Sequence, residues 1–359
     1  MYRRAHVLLI SLAAIMGVLA VIAAVSLDKS LADPEGFLGP SWLRLPLLLL
    51  GAFLLDMLPR ALWLSRLDPR KMPGIVRDRV RDHWTRERLT LVVIGLVSFY
   101  ITYVSYRNLK SLLPFVMGDK KYDYELHLLD EALFWGHDPA IVLHSVLGTD
   151  VAAHFLSLIY LWFLPLVPLA VTGWLIWSRE ISYGYWFVSS QVVCWTLGTA
   201  SYYALPTLGP GFEYPAPYFS LAHTPTADLM KSLAYSRQGV LLGGVEGAVQ
   251  SVAGFASLHC GVTLLVALMV QHTIRNRVVH WIFWANFGVT IVATLYFGWH
   301  YVADDVAGIL IALLSFYVGG VVSGQKFIKH HVVTTEDAER ARLAAAAAGE
   351  PTPSGSTTA

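Results

Sequence analysis

Apolar segments close to membrane-spanning length recur along the whole chain, and they constrain its fold more than any other feature. A helix needs about 20 apolar residues to cross the hydrocarbon core of a bilayer. Charged residues make up only 14% of the 359 residues, against roughly 25% in a typical soluble domain. We therefore predict an integral membrane protein. The apolar segments lie at residues 6–27, 43–64, 89–106, 152–177, 185–205, 255–273, 280–298 and 304–323.

Each apolar segment is predicted to be a helix, because backbone polar groups in lipid must be paired within their own segment. The expected fold is an all-α integral membrane protein with about eight transmembrane helices, interfacial helices and a long extracytoplasmic loop. We divide the chain into N-terminal helices with a basic loop (1–84), a main transmembrane domain (85–324) and a tail (325–359). The tail is polar and then low in complexity, which predicts disorder.

The basic loops predict the orientation, because cytoplasmic loops carry an excess of Lys and Arg. The most basic stretch, 66–88, lies between the second and third segments. If this stretch is cytoplasmic, every other short basic turn and both termini fall on the same side. The segments 106–150 and 205–254 and the turn 298–301 then face the extracytoplasmic side. The expected location is the plasma membrane.

Charge and cysteine content exclude two other classes of protein. The formal net charge is only +1, which indicates no nucleic-acid partner. The two cysteines, Cys194 and Cys260, both lie in apolar segments and form no spacing typical of a disulfide framework or a metal knuckle. Both are expected to be small buried side chains.

Two short polar segments interrupt the apolar pattern on the predicted extracytoplasmic side. One is Ser257-Leu258-His259 at the start of the sixth segment, and the other runs from His300 to Asp304 between the seventh and the eighth. Ionisable residues at such boundaries are costly unless they face a cavity or another part of the protein. We therefore expect the two segments to meet in space.

The residue types in these segments suit phosphoryl transfer. The four-residue spacing places His300 and Asp304 on one helix face, where the carboxylate can fix the imidazole tautomer and leave the other ring nitrogen as a nucleophile. His259 is then a candidate acid and base for the leaving and entering oxygens. Ser257 is placed to cap the helix that follows it, so that the free N–H groups of that helix would face the phosphate.

Taken singly, these residues have ordinary interpretations. The chain has 13 histidines, and one histidine near a membrane interface is usually only an interfacial residue. Asp304 with Asp305 is also typical of an acidic helix start. The aromatic residues in 202–218 and 299–301 match the aromatic belts expected at both interfaces. The order of the histidines and the carboxylate and their shared side favour the catalytic hypothesis.

The combined pattern resembles a known family over about residues 100–323. Ser257-Leu258-His259 followed by His300-x-x-x-Asp304 is similar to the second and third signature motifs of the type 2 phosphatidic acid phosphatase superfamily. The branch that looks most similar is that of the inositol phosphorylceramide synthases, the aureobasidin-sensitive inositolphosphotransferases. The segments that carry the resemblance to this branch are Phe255–His259, the Pro-rich Leu205–Pro210 and the stretch Asp130–Pro139.

This resemblance implies a catalytic domain at 85–324, a phosphohistidine intermediate on His300 with Asp304 orienting it, His259 as acid and base, and neither a metal nor a cofactor. The superfamily's first motif, which contains Lys and Arg-Pro, is not evident near Pro206. Arg237 resembles a basic position of the synthase branch and is the best candidate for the phosphate-binding cation, because an Arg can clamp two phosphate oxygens. Other phosphate or substrate contacts are expected from Ser257, Thr207, Gly209 and, more weakly, Lys231.

Several functions are compatible with these residues. The leading hypothesis is a transferase that moves a phosphate-linked headgroup from a lipid donor to an alcohol, with a lipid-linked phosphate and membrane lipids as partners. With water as acceptor, the same residues would make a lipid phosphate or pyrophosphate phosphatase. A transporter is a different class, but the chain shows no repeated halves with broken helices. A glycosyltransferase would need a carboxylate base, which the acidic stretch 123–131 contains.

Overall fold

The computed structural model describes residues 2–34, 41–243, 252–328, 331–333 and 343. The π-helical turn Gly173–Trp177, called the π turn below, continues the seventh helix. A 3-10 turn, Ala216–Tyr218, lies between the ninth and tenth helices. The α-helices are α1 (Arg3–Ser26), α2 (Ser41–Ser65), α3 (Met72–His83), α4 (Arg86–Met117), α5 (Asp123–Leu133), α6 (Pro139–Leu147), α7 (Val151–Thr172), α8 (Ile181–Ala204), α9 (Pro210–Glu213), α10 (Pro225–Gly243), α11 (Leu258–Thr273), α12 (Arg277–Tyr296) and α13 (Val302–Val322).

Each of the eight apolar segments contains a helix, so this is a helical membrane protein. Among the described residues, five helices are long and apolar enough to cross a bilayer: α1, α4, α7 with the π turn, α12 and α13. Three further helices, α2, α8 and α11, occupy the other apolar segments, and α11 is a shorter apolar helix. The number of eight spans therefore stays a prediction.

The predicted tail contains a small element of regular structure. The strands β1 (Lys326–Ile328) and β2 (His331–Val333) pair antiparallel within the stretch expected to be disordered, 325–359. Apart from residue 343, the rest of that stretch after residue 333 lies outside the described residues. The part 244–251 of the long loop predicted at 205–254 also lies outside them, whereas the rest of this loop contains α9, the 3-10 turn and α10.

The helix α4 is longer than the third apolar segment predicts. The apolar pattern ends near residue 106, but the helix continues to Met117. Polar side chains in this extension are satisfied inside the protein: Asn108 donates to the carbonyls of Val104 and Ala32, both at 2.8 Å. Because these polar groups are paired, they do not stop the helix, and α4 reaches the level of the two polar segments.

The helix α8 forms the centre of the bundle. It is buried along most of its length and packs against α1, α4, α11 and α13. A helix that is apolar or uncharged on all sides suits such a position. The helices that carry the two polar segments, α11 and α13, therefore share one support.

Close packing of α11 on α13 sets the distance between the two polar segments. The backbone N–H of Ser257 donates to the carbonyl of Asp304 at 2.9 Å. One turn further along α13, Gly308 lies against Ser257, and a Cβ there would overlap the Ser257 carbonyl. The absence of a side chain at Gly308 therefore lets the start of α11 reach α13.

We predict that Gly308→Ala pushes the start of α11 away from α13. Overpacking of this kind costs about 1–3 kcal/mol, so the thermal midpoint in detergent should fall and any activity of the paired segments should fall with it. Gly288→Ala is the matched control, because no atom of the described residues lies within contact distance of a Cβ at Gly288 in α12. Equal melting temperatures for the two variants would contradict the packing argument.

Candidate active site

His300 lies in the short connection between α12 and α13, held by the first turn of α13. Its Nδ1 atom is 3.3 Å from Oδ2 of Asp304, so the Nδ1–H is placed to donate to this carboxylate. The same oxygen accepts from the backbone N–H of Tyr301 at 3.0 Å. The side chain of Asp304 is completely buried. The carboxylate therefore orients the ring and leaves Nε2 as the other ring nitrogen.

His259 follows the N-cap of α11 and is held between aromatic rings. Ser257 caps the helix as predicted, with its hydroxyl accepting from the N–H of Cys260 at 3.4 Å. The imidazole of His259 stacks on Tyr160 at 4.4 Å between ring centroids, and Phe163 lies at 4.1 Å. Ring stacking restricts the imidazole without occupying its nitrogens, which leaves them available for proton transfer.

The two histidines meet beside a common cavity, as the sequence predicted. Their ring centroids are 6.4 Å apart, and both rings line a cavity of about 900 Å³. Reacting atoms approach to about 3 Å in a near-attack geometry. One phosphoryl group between the two rings can therefore face His300 and His259 together.

Burial keeps the imidazole of His300 neutral. Desolvation lowers the pKa of His300 to about 4, and the nearby positive charge of Lys110 acts in the same direction. The negative charge of Asp305 raises this pKa but does not outweigh them. A hydrogen bond from the ring to the Gly254 backbone also raises this pKa, but does not return it to its usual value. At neutral pH the ring therefore has a free lone pair, which a nucleophile requires.

Two cations of α4 line the cavity, Arg107 and Lys110, and neither was singled out from the sequence. The charge of Lys110 acts on His300, and its ammonium lies 5.8 Å from the ring centre of Tyr106 and 5.5 Å from that of Tyr202. A signal for it exists in the sequence, because Tyr103, Tyr106 and Lys110 follow a helical spacing of three and four residues. Ending the third segment at residue 106 placed Lys110 outside the helix and hid this face.

The favoured sequence candidate for the cation, Arg237, lies elsewhere. It is on α10 and does not line the cavity. Burial lowers the pKa of its guanidinium, while the charges of Asp123 and Glu213 raise it. A phosphate contact of Arg237 therefore stays a prediction. Lys231 is exposed on the same helix and does not line the cavity either.

Thr207 and Gly209 support the site without lining the cavity. The hydroxyl of Thr207 accepts from the N–H of Phe255 at 2.9 Å, and its carbonyl accepts from that of Gly254 at 2.8 Å. Gly209 has φ +98°, and a Cβ there would overlap the carbonyl of Trp299. Both residues therefore connect the Pro-rich segment to the chain that carries the histidines.

Two buried carboxylates of α5 clamp the segment around His300. Asp123 accepts from the hydroxyl of Tyr301 at 3.1 Å and from the backbone N–H of Gly209 at 3.0 Å. Asp130 accepts from the backbone N–H of Val302 at 3.1 Å. Both carboxylates are thus engaged in the architecture of the site. Asp123 and Asp130 do not line the cavity. Their positions therefore do not support a role as the base of a glycosyltransferase.

Comparison with known proteins gives one match. A family model described as the PAP2 superfamily matches residues 124–318, more than half of the chain. No curated protein and no solved structure matches. The matched region contains His259, His300 and Asp304 but not Lys110, so the place of Lys110 in the site rests on geometry.

We predict that Lys110→Met lowers kcat/KM for a lipid phosphate by about ten- to hundredfold, because an ionic hydrogen bond contributes about 1.5–3 kcal/mol. Lys231→Met removes the same charge from an exposed position and should leave kcat/KM nearly unchanged. Similar losses in both variants, measured in liposomes of one composition, would contradict a specific contact at Lys110.

A second prediction concerns pH. Burial raises the pKa of Asp130 to about 7. The charges of Asp304 and Asp138 add to this increase, whereas the hydrogen bond from the Val302 N–H opposes it. Between the ordinary pKa of about 3.9 and this value, the folded protein binds more protons at Asp130 than the unfolded chain. The stability should therefore fall as pH rises from about 4 to about 7.

Asp130→Asn removes this titration and keeps an oxygen that can accept from Val302. We expect the decrease in thermal midpoint between pH 4 and pH 7 to be smaller in Asp130→Asn than in the wild type, by an amount equivalent to roughly 2–4 kcal/mol. Glu131→Gln is the control, since its side chain is 40% exposed. Parallel curves for wild type and Asp130→Asn would show that Asp130 is not the titrating group.

Proposed function

This chain belongs to the PAP2 superfamily, and we propose on that premise that it is a membrane phosphotransferase that moves a phosphate-linked headgroup from a lipid donor to an alcohol. Superfamily membership supports phosphatase or phosphotransferase chemistry on a lipid phosphate. The observation that best supports this proposal is that His259 and His300 line one cavity, and that the buried carboxylate of Asp304 orients His300.

The reaction follows from the positions of these groups. Nε2 of His300 attacks the phosphorus of the donor, forming a phosphohistidine as the bond to the lipid oxygen breaks. Protonated His259 gives its proton to this leaving oxygen. The acceptor hydroxyl then returns a proton to His259, and its oxygen attacks the phosphohistidine and releases His300. Lys110 and the N–H groups at the start of α11 stabilise the negative charge of the phosphoryl group.

Exclusion of water favours transfer over hydrolysis. His300 is 6% exposed, and Leu229 and Leu233 of α10 line the cavity beside it. A site that excludes water protects a reactive intermediate from hydrolysis, so an alcohol that enters with its own binding contacts is the favoured acceptor. Inositol as the transferred headgroup and ceramide as its acceptor are suggested by the synthase-like motifs only. Hydrolysis by the same residues is the second candidate.

The charge distribution supports an extracytoplasmic site, and the plasma membrane stays the expected location. His300 follows the end of α12, whereas Arg275 and Arg277 lie at its beginning, so one membrane helix separates them. The basic helix α3 similarly precedes α4, whose opposite end holds Lys110. By the excess of basic residues in cytoplasmic loops, α3 faces the cytoplasm and the histidines face outward.

We predict that His300→Ala abolishes turnover and the acid-labile phosphoenzyme. The measurement uses wild-type protein and variant in liposomes with a donor whose phosphate is radiolabelled, quenched during turnover. His154→Ala is the matched control, since this histidine lies exposed in the first turn of α7. Activity near that of the control in His300→Ala would eliminate His300 as the nucleophile.

The same assay separates transfer from hydrolysis. Candidate alcohols, including inositol-free lipids with a hydroxyl group, are added with the labelled donor. Label in a new lipid product supports transfer. Label found only in inorganic phosphate, at a rate that no alcohol changes, supports the phosphatase and rejects the transferase.

A further inference from the structure

The cavity beside the histidines continues far down the bundle as a groove between α4 and α7. On α4 its lining runs from Lys110 to Leu96, and on α7 it runs from Tyr160 to Thr172. At a rise of 1.5 Å per residue, these stretches measure about 21 Å and about 18 Å. One leaflet is about half of the roughly 30 Å hydrocarbon core, so the groove passes the middle of the bilayer.

The groove opens sideways to the membrane. Val97 of α4 and Leu164 of α7 both line it and are themselves 39% and 61% exposed. The two helices have different neighbours, since α4 packs on α1 and α8 whereas α7 packs on α11 and α12. A hydrocarbon chain can therefore enter between them directly from the lipid.

The end of the groove away from the histidines is closed by the π turn. Ile176 of this turn lines the groove and is 1% exposed. The adjacent Leu175 packs against α4 at Gly95, where a Cβ would lie 3.1 Å from a Leu175 methyl group. The π turn thus bridges from α7 back to α4 and forms an end wall.

Two buried side chains hold this end wall in place. Arg88 donates to the carbonyl of Leu175 at 3.1 Å and to that of Arg179 at 3.1 Å. Nε2 of His83 lies 2.6 Å from the carbonyl of Ile176. Tertiary partners thus tie down carbonyl groups at the end of the helix, and the wall is a rigid stop.

We infer that the groove binds one extended hydrocarbon chain of the lipid substrate and that the π turn limits its length. This inference rests on the proposed function, since it places the phosphate of that lipid at His300. An extended peptide spans about 3.6 Å per three backbone bonds, or about 1.2 Å per bond. If a hydrocarbon chain extends similarly, a groove of about 18–21 Å holds about 15–17 of its bonds. A second chain of the same lipid stays in the bilayer outside the lateral opening.

Enzymatic selectivity for chain length tests this subsite. Val167 lines the inner half of the groove and is 9% exposed. We expect Val167→Trp to lower the ratio of kcat/KM for hexadecyl phosphate over octyl phosphate at least tenfold, because the indole blocks only the longer chain. Leu169→Trp places the same ring on the lipid-facing side of α7, where Leu169 is 48% exposed, and should leave the ratio unchanged. An equal ratio in Val167→Trp and the control overturns the inference.

Photo-crosslinking tests the same groove without turnover. A hexadecyl phosphate with a diazirine at its chain end is bound to the wild-type protein in detergent and irradiated, and the labelled peptides are found by mass spectrometry. The subsite is supported if the label lies in residues 164–176 and is removed by excess hexadecyl phosphate but much less by octyl phosphate. Label spread over lipid-facing residues of α12 overturns it. Specific label in the groove without turnover of any lipid phosphate would reject the proposed function and retain the subsite.

Discussion

The contact between the start of α11 and the start of α13 is the constraint on which the rest of the site depends. The N–H of Ser257 is bonded to the carbonyl of Asp304, and the missing side chain at Gly308 lets the two backbones approach. This contact brings His259 to within 6.4 Å of His300 between ring centres. His300 obtains its carboxylate from its own segment, whereas His259 obtains its aromatic neighbours from α7, and only the packing of α11 on α13 brings the two rings together.

The three buried carboxylates around His300 are tolerated in a membrane bundle because each of them accepts hydrogen bonds from the protein. Asp304 is bonded to the ring of His300 and to the backbone of Tyr301, and the carboxylates of α5 accept from the backbone N–H groups of Gly209 and Val302. An unpaired polar group in a low-dielectric interior costs several kcal/mol. The same pairing that satisfies these groups makes the site rigid, and a rigid site can hold a phosphoryl group between two rings. The apolar groove then gives the lipid chain a separate place.

Local patterns in the sequence predicted the parts of this protein that depend on near neighbours. Apolar segments of spanning length predict the helices, because the bilayer itself sets the required length. The spacing of His300 and Asp304 predicted their contact, although not its geometry, because α13 begins at Val302 and His300 precedes the helix instead of sharing a helix face with Asp304. Ser257 was correctly predicted to cap α11. The motifs around these residues also identified the superfamily that the family model matches.

Only the tertiary structure decided which cation, which supporting carboxylates and which cavity accompany the histidines. Arg237 had the better sequence argument, yet Lys110 lines the cavity, because an internal partner for Asn108 lets α4 continue past its apolar segment. The sequence suggested a phosphate contact for Thr207 and a possible base for Asp123, whereas their hydrogen bonds to the backbone depend on groups far away in the chain. The groove between α4 and α7 arises from the packing of these helices on different neighbours. Contacts of this kind join distant residues, so no pattern of local spacing contains them.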